Sequence, residues 1–378
     1  MHIYKTPAGT WAYRVDIGVN PATGRRRQKS KAGFSRKKDA EAAARELLTE
    51  VQRQSYVEES SLTFSQFSRE WLERYRVTVK ESTYKARVPD VKALTGEMGA
   101  VPIQKINLRL YQNVINKLYK RYAMSTLRLV HNTAQMIFKD ARRYEVIAKD
   151  PTEFAVLPKA PDVITEKLPA FLDREQLTEF LDACKQRPEQ DYTMFLLLAY
   201  TGLRIGEAMA LCWEDVDFDN YTLRVNKTLF RTGKDYRLTT PKTRRSKRVI
   251  DLPAVVIKTL KAHRREQAEQ RLAAGRYWHK PENFIFTTPT TPGAPTNITF
   301  WRKHIEAVLK LCPGLPKIHP HSFRHTHASL LAEAGIPLEE IVDRLGHSTD
   351  GITRRIYLHV TEGRRKQVAE KFARFMGQ

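Results

Sequence analysis

The stretch HPHSFRHTHAS, residues 319–329, concentrates side chains that can bind either a metal ion or a phosphate group. Four histidines and one arginine fall within its first nine positions. Histidine is the commonest metal ligand, and an arginine can grip two phosphate oxygens with its planar guanidinium. A third interpretation is a solvated helix face whose cationic residues do no chemistry together.

The spacing of these histidines disfavours a metal site. A helical zinc motif pairs two histidines at i and i+4 with an acidic residue, as in HExxH. Here successive histidines are two, four and two residues apart, and the stretch contains no Asp or Glu. We therefore expect no metal, and we expect His325 and His327 to pack or to cap a helix. His321 and Arg324 are three residues apart and share one helix face.

The segment TGLRIGEAM, residues 201–209, places a second arginine where a helix begins. An apolar helix is predicted to end at Gly202, and Arg204 follows at the start of the next one. Glu207 lies three residues further on, close enough to hold the guanidinium in place. Taken alone this pattern is weak evidence for chemistry, because a surface arginine would look the same.

Two further segments carry reactive side chains. In TTPKTRRSKRVIDL, residues 239–252, Lys242 comes just before the last strand of a predicted hairpin, and Arg244 and Arg245 follow it. Such a hairpin can reach into a DNA groove while its arginines contact the DNA backbone; the alternative is a solvated basic turn. Nearer the C-terminus, His347 follows a helix end and Tyr357 lies ten residues later, although a lone tyrosine is usually half-buried core.

The composition indicates a nucleic-acid-binding protein of several domains. The chain has 378 residues, with 65 Lys and Arg against 42 Asp and Glu, a formal net charge of +23. Such an excess attracts polyanions, although a merely soluble basic protein remains the alternative. The three cysteines are scattered, which fits a reducing compartment. No signal-peptide pattern or membrane-spanning apolar run is present in the sequence, so we expect a cytoplasmic protein with no membrane partner.

Residues 1–57 are predicted to form a small β-sheet that packs on one helix. The string WAYRVDIGV alternates in polarity, which predicts a strand with one buried face running from Trp11 to Val19. Ten basic residues and one acidic residue fall within residues 1–38, a clustering that favours a DNA contact over a solvated extension. The predicted DNA-contacting residues are Arg14, Arg25, Arg26, Arg27, Lys29, Lys31, Arg244 and Arg245.

The rest of the chain divides into a helical segment, a linker and a larger mixed segment. Residues 62–155 show helical periodicity throughout, and Phe67, Trp71 and Tyr75 recur at i, i+4 and i+8, which predicts a packed core. Residues 156–171 form a proline-rich linker. Residues 172–378 are mainly helical, with a β region near residues 215–252.

Taken together, these motifs resemble the tyrosine recombinase, or phage integrase, family. The matching strings are TGLRIGE, PKT before a basic strand, HSFRHTHAS, LGH and TRRIYLH, and they share the family's order and spacing. The resemblance covers nearly the whole chain. One departure is that the family often has Asp-Leu between the motif histidine and arginine, where this chain has Ser322 and Phe323; this affects packing more than chemistry.

The resemblance implies a multidomain, mainly α-helical fold with small β-sheets. Residues 1–57 would be an arm-type DNA-binding domain with a small sheet and a helix. Residues 62–155 would be a helical, SAM-like core-binding domain. Residues 172–378 would be a mixed α/β catalytic domain of the tyrosine recombinase type.

The resemblance also implies a mechanism and a role for each motif residue. Tyr357 would attack a DNA phosphodiester, giving a 3′-phosphotyrosine and a free 5′-hydroxyl. The other residues would assist: Arg204 and Arg324 as phosphate ligands, His347 as a hydrogen-bond donor, Lys242 as general acid, His321 in proton transfer and Glu207 in orienting the cluster. No cofactor or metal would be needed.

The family implies several partners. These are double-stranded DNA at core and arm sites, a homotetramer on that DNA, and an excisionase or DNA-bending accessory factor. The C-terminal residues RRKQVAEKFARFMGQ place Val368, Phe372, Phe375 and Met376 on one helical face, which we expect to dock on a neighbouring protomer, with docking on the same domain as the alternative.

Two other functions remain open from the sequence. A type IB topoisomerase uses similar chemistry to relax DNA, but the separate basic N-terminal segment favours site-specific recombination, because it adds a second DNA contact. A non-catalytic DNA-binding regulator with this fold is disfavoured by the complete set of six motif residues. A prophage or integrative conjugative element would be the source of such an integrase.

Overall fold

The computed structural model describes residues 1–19, 24–52, 60–159, 168–232, 235–240, 246–279, 282–346, 351–362 and 376. The chain forms two compact units that divide near residue 164. The predicted division into 1–57, 62–155, a linker at 156–171 and 172–378 is finer than this and stays a prediction. Lys242, Arg244, Arg245, His347 and most of the C-terminal segment after residue 362 lie outside the described residues. No helix among the described residues is long and apolar enough to cross a membrane.

The N-terminal part of the first unit is a three-stranded antiparallel sheet covered by one helix. The elements are β1 (His2–Lys5), β2 (Trp11–Val19), β3 (Arg26–Phe34) and α1 (Lys37–Gln52), in the sheet order β1-β2-β3. Tyr13 and Val15 of β2 pack on Ala44 and Leu47 of α1. The predicted alternation is confirmed from Tyr13 to Asp16, but Ala12, expected on the opposite face, is also buried, and Val19 is exposed. A register shift between Asp16 and Gly18 reverses the alternation and turns Val19 to the other face.

The remainder of the first unit is helical, as predicted. Its helices are α2 (Phe64–Thr78), α3 (Glu81–Met98), α4 (Leu108–Tyr119) and α5 (Met124–Arg143). Thr63 caps α2 through a reciprocal bond with Gln66, which fixes where this helix starts. Phe67 and Trp71 are buried and Tyr75 packs against the same cluster, so the aromatic stripe is core, as expected.

In its described residues, the second unit is mainly helical with three small antiparallel sheets. Its helices are α6 (Arg174–Cys184), α7 (Glu189–Thr201), α8 (Ile205–Ala208), α9 (Ala254–Ala274), α10 (Ile298–Leu309), α11 (Ser322–Glu333), α12 (Leu338–Leu345) and α13 (Gly351–Glu362). Its strands are β4 (Val216–Asp217), β5 (Thr222–Val225), β6 (Thr228–Thr232), β7 (Asp235–Thr239), β8 (Arg248–Asp251), β9 (Thr287–Thr288) and β10 (Thr291–Pro295). The sheets are β4-β5-β8, β6-β7 and β9-β10.

Helix α7 is the centre of the second unit. It is apolar on all sides and buried from Met194 to Ala199, as expected of a helix with neighbours on every face. Phe195 stacks on Phe323 of α11 and meets Trp301 of α10 edge to face. These aromatic contacts hold α7 and α11 together, and the motif arginines follow or lie on these two helices.

Candidate active site

Gly202 brings the end of α7 into close contact with α11 and α12. Its φ of +60° is left-handed, which glycine adopts without strain. A Cβ atom here would lie 2.5 Å from Cδ2 of Leu345 and 2.7 Å from Cδ2 of His327. Only glycine therefore allows these three elements to meet.

Arg324 ties the same elements together through their backbones. Its Nη1 donates to the carbonyl oxygen of Gly202 at 2.7 Å, and its Nη2 donates to the carbonyl oxygen of Leu345 at 2.6 Å. The residue is 1% exposed. It therefore joins the last turn of α7 to the last turn of α12, where Gly346 forms a left-handed cap.

Arg204 and Glu207 form the contact that the sequence predicts. The main-chain N–H of Arg204 donates to Glu207 Oε2 at 3.1 Å, and its Nη1 donates to Oε1 at 2.9 Å. The Arg204 side chain is 37% exposed while Glu207 is buried. A buried carboxylate thus holds an arginine whose side chain still reaches the surface.

Arg248 is the second partner of Glu207 and was not expected as a site residue. Its Nη2 donates to Glu207 Oε2 at 3.0 Å. Burial would raise the pKa of Glu207, but the charge and hydrogen bond of Arg248, followed by those of Arg204, outweigh it and hold this pKa below its ordinary value. Glu207 is therefore ionised at neutral pH and balances two cations.

His327 packs beneath this network rather than facing a ligand. Its Nδ1 donates to the carbonyl oxygen of Ala199 at 2.8 Å, and its Nε2 lies 3.3 Å from the donating Nε of Arg344. Burial first, and then the charge of Arg344, lower its pKa to about 3. The packing role predicted for His327 is confirmed, and the ring is neutral.

The neutral His327 predicts a specific pH dependence of stability. An unfolded histidine has a pKa near 6.5, so between about pH 6.5 and 3 the unfolded chain binds a proton that the folded chain does not. The free energy of unfolding should fall by about 2 kcal/mol from this cause between pH 7.5 and 5. Urea unfolding across this range should show a shrinking difference between wild type and His327→Asn. A difference that stays constant with pH would contradict the assignment.

His321 and His325 lie at the start of α11 and differ in exposure. His321 is exposed at the N-cap position, while His325 is buried one turn later. Their ring centroids are 4.8 Å apart and the rings are nearly perpendicular. The expected packing role of His325 is thus confirmed. The side chain of His321 is exposed to solvent, and its role in proton transfer stays a prediction. Among the residues that the structure covers, no group of three or more potential ligands is arranged for a metal ion.

Tyr357 lies on α13, which packs against α11. The tyrosine is half-buried against a small apolar cluster that includes Ala328 and Ala332 of α11 and Leu345 of α12. The helix that carries Tyr357 therefore rests on the helix that carries Arg324. Arg204 lies near these helices because it comes two residues after Gly202, whose carbonyl oxygen accepts a hydrogen bond from Arg324.

The predicted DNA-contacting residues of the N-terminal sheet lie on two faces. Cross-strand partners share a face, so Arg14 and Arg26 lie on the face away from α1, while Lys29 and Lys31 pair with Val15 and Tyr13 on the side of α1. Arg27 follows the pattern of Lys29 and, like it, is half-buried. Arg25 is exposed just before β3.

Comparison with known proteins identifies this arrangement. Residues 170–364, slightly more than half of the chain, match the Phage integrase family. The chain belongs to the phage integrase family. Residues 2–51 match an Arm DNA-binding domain, and residues 63–119 match the N-terminal SAM-like domain of phage integrases. The protein is thus a tyrosine-type site-specific recombinase.

Two relatives cover most of this integrase. A XerC-like tyrosine recombinase of Caldanaerobacter subterraneus subsp. tengcongensis is 29% identical over 354 residues, 88% of each chain. The ICEBs1 integrase of Bacillus subtilis is 25% identical over 378 residues, 98% of this chain and 99% of that one. The similarity therefore includes the N-terminal segment as well as the catalytic part.

Solved structures of two integrases share the fold. The Tn1549 transposon integrase, in complex with a circular intermediate DNA, matches with a TM-score of 0.66 at 24% identity, over 82% of this chain and all of that one. A lambda integrase tetramer bound to a Holliday junction matches with a TM-score of 0.58 at 16% identity, over 94% of each chain. Both matches confirm the mainly helical fold with small sheets.

Proposed function

We propose that this integrase cleaves DNA through Tyr357 and that Arg204 and Arg324 stabilise the charge that develops on the phosphate. One observation carries this proposal. Arg324 binds the carbonyl oxygen of Gly202, two residues before Arg204, and the helix of Arg324, α11, packs against α13, which carries Tyr357. Preplaced cations are worth most where negative charge grows during the reaction, because they need no reorganisation. Arg204 presents a partly exposed guanidinium, and DNA binding must uncover Arg324 for direct contact.

The chemical step balances without an outside reactant. The Tyr357 hydroxyl loses its proton to solvent with the help of His321, and its oxygen bonds to phosphorus. The bond to the 5′-oxygen breaks, that oxygen takes a proton from Lys242, and solvent water returns a proton to the lysine. His347 would donate a hydrogen bond to the phosphate, and His321 would assist proton transfer at the tyrosine. The phosphotyrosine keeps the energy of the phosphodiester, so a 5′-hydroxyl of another strand can reverse the step. No metal or nucleotide cofactor enters this scheme.

The substrate is double-stranded DNA at two kinds of site. We assign the core site to the helical domain of residues 62–155 together with the catalytic domain, including the segment with Arg244 and Arg245. The arm site is assigned to the N-terminal sheet. Its face away from α1 is open and carries Arg14 and Arg26, while Arg25, Arg27, Lys29 and Lys31 extend the positive field around it. Strand exchange at these sites would integrate and excise a mobile element.

If the N-terminal sheet binds the arm site, single substitutions of its arginines should weaken arm-DNA binding. Arg14→Ala and Arg26→Ala should each weaken binding uniformly across sequences and lower the slope of log affinity against log salt by about 1, because each removes a phosphate contact. Titration by fluorescence anisotropy at several salt concentrations measures both quantities. Arg36→Ala is the matched control, because Arg36 is exposed but paired with Asp39 at the start of α1. Equal losses of affinity in Arg14→Ala, Arg26→Ala and Arg36→Ala would show only an effect of net charge and would contradict arm binding by this face of the sheet.

Assembly and location complete the proposal. The lambda integrase tetramer on a Holliday junction supports a homotetramer here as well. From the family we also propose that protomers exchange the C-terminal segment, that an excisionase or DNA-bending protein is a partner, and that the location is cytoplasmic. A chain that ends at residue 363 should fold but synapse poorly; an unfolded truncation would instead support docking within one protomer.

Covalent trapping tests the reaction class. Wild-type protein is incubated with nicked suicide DNA taken from the flanks of its gene and resolved on a denaturing gel. The proposal expects a protein–DNA adduct only with duplexes that carry the attachment sequence. Adducts with any duplex, together with supercoil relaxation, would indicate a topoisomerase. Tight binding without an adduct would indicate a regulator.

A further inference from the structure

One guanidinium in the second unit connects its own strand to two distant segments. Arg248, the first residue of β8, donates from Nη2 to Glu207 Oε2 at 3.0 Å, from Nη1 to the carbonyl oxygen of Ser246 at 3.1 Å, and from Nε to the carbonyl oxygen of Arg344 at 3.0 Å. Its side chain is 8% exposed and that of Glu207 is 3% exposed. All three nitrogens of the guanidinium are therefore engaged in a nearly dry environment.

One of these contacts leads directly to a residue that the proposed mechanism uses. Glu207 also holds Arg204. Arg344 lies in the last turn of α12. Arg248 thus holds Glu207, and through it Arg204, against β8 and the end of α12.

The chemistry of the side chain suits this role. A guanidinium is planar, always charged, and presents its donors in a fixed fork, so three acceptors around it are fixed relative to one another. A lysine ammonium is a single mobile donor group on a flexible stem and cannot reproduce this geometry. Misplacement of a catalytic group by about 1 Å can cost on the order of a hundredfold in rate.

We propose that Arg248 is a positioning residue that fixes Arg204 through Glu207. It does not contact the substrate, and its effect is exerted through this carboxylate. The inference rests on the role proposed above for Arg204 as a phosphate ligand.

The test compares three DNA substrates in single-turnover cleavage by full-length protein. The first is ordinary DNA. The second has a 5′-bridging sulfur at the cleavage position, a leaving group that needs no general acid. The third has a methylphosphonate there, which lacks the charge that Arg204 neutralises. The sulfur substrate reports on the general acid, and the methylphosphonate reports on the phosphate ligands.

Arg248→Lys should slow cleavage of ordinary DNA by about a hundredfold. The methylphosphonate substrate should restore at least tenfold of that loss, and the sulfur substrate should not. Arg187→Lys is the matched control, because Arg187 binds the buried carboxylate of Asp191 in the same unit. It should cleave all three substrates at close to wild-type rates. Unchanged cleavage by Arg248→Lys, or an equal loss on all three substrates, would overturn the positioning role.

Two further variants keep the outcome decisive. If Arg248→Lys does not fold, Arg248→Gln combined with Glu207→Gln removes both buried charges and keeps an amide pair, and the same methylphosphonate rescue is expected. Lys242→Ala serves as the reference and should be rescued by sulfur whatever happens at Arg248. Failure of that rescue would refute Lys242 as the general acid, which is a failure of the proposed function and not of Arg248.

Discussion

Replacing Arg324 by Ala should slow DNA cleavage by about a thousandfold or more. An arginine that stabilises charge in phosphoryl transfer contributes a factor on the order of 10³ to 10⁵. The same change removes the donors of two buried carbonyl groups, Gly202 and Leu345, at a cost of about 1–3 kcal/mol each. Single-turnover cleavage and urea unfolding measure the two effects separately.

The control for Arg324 is an arginine of the same unit without these contacts. Arg302 is exposed on α10, and Arg302→Ala should leave both quantities nearly unchanged. Cleavage must be compared without urea, at a temperature where both variants are folded. An Arg324→Ala protein that folds and still cleaves within tenfold of wild type would remove Arg324 from the chemistry and leave it a purely structural residue.

Replacing Glu207 by Ala should destabilise the catalytic unit by about 3–5 kcal/mol, because it leaves the buried guanidinium of Arg248 without its counter-charge. Cleavage should fall as well, since Arg204 loses the carboxylate that orients it. Asp182→Ala is the matched control. Asp182 also pairs with a cation three residues away, Lys185, but both are largely exposed, and such a pair is worth about 1 kcal/mol or less.

The stabilisation from Glu207 should also depend on pH in a defined direction. Its pKa is lower in the folded chain than in the unfolded chain, so its contribution is fully present above the ordinary carboxyl pKa and is lost as the pH falls through the folded value. The difference in unfolding free energy between wild type and Glu207→Gln should therefore shrink in acid. A difference that grows in acid, or equal small losses for Glu207→Ala and Asp182→Ala, would contradict the buried ion network.

Local patterns were sufficient to predict much of the fold and part of the site. The caps, the helical periodicity and the apolar run of α7 are properties of neighbouring residues, and the contact of Arg204 with Glu207 spans only three positions. The hairpin of β9 and β10 was missed, because its strands are only two and five residues long and the prolines of β10 are typical of a loop.

The remainder depends on contacts between distant residues. Arg248 binds partners 41 and 96 positions away, so its basic neighbourhood in the sequence suggested only DNA contact. Likewise, nothing near Arg324 shows that it is covered, because its acceptors lie 122 and 21 positions away. Fold and burial decide which arginines face DNA and which hold the site together.

The central claim is that Tyr357 forms the covalent bond to DNA. Wild type and Tyr357→Phe are incubated side by side with nicked suicide DNA, and the trapped adduct is digested and its DNA-linked peptide sequenced by mass spectrometry. We predict an adduct in wild type alone, with the nucleotide on the peptide containing Tyr357. An adduct of equal yield in Tyr357→Phe, or a linkage mapped to another residue, would contradict the mechanism.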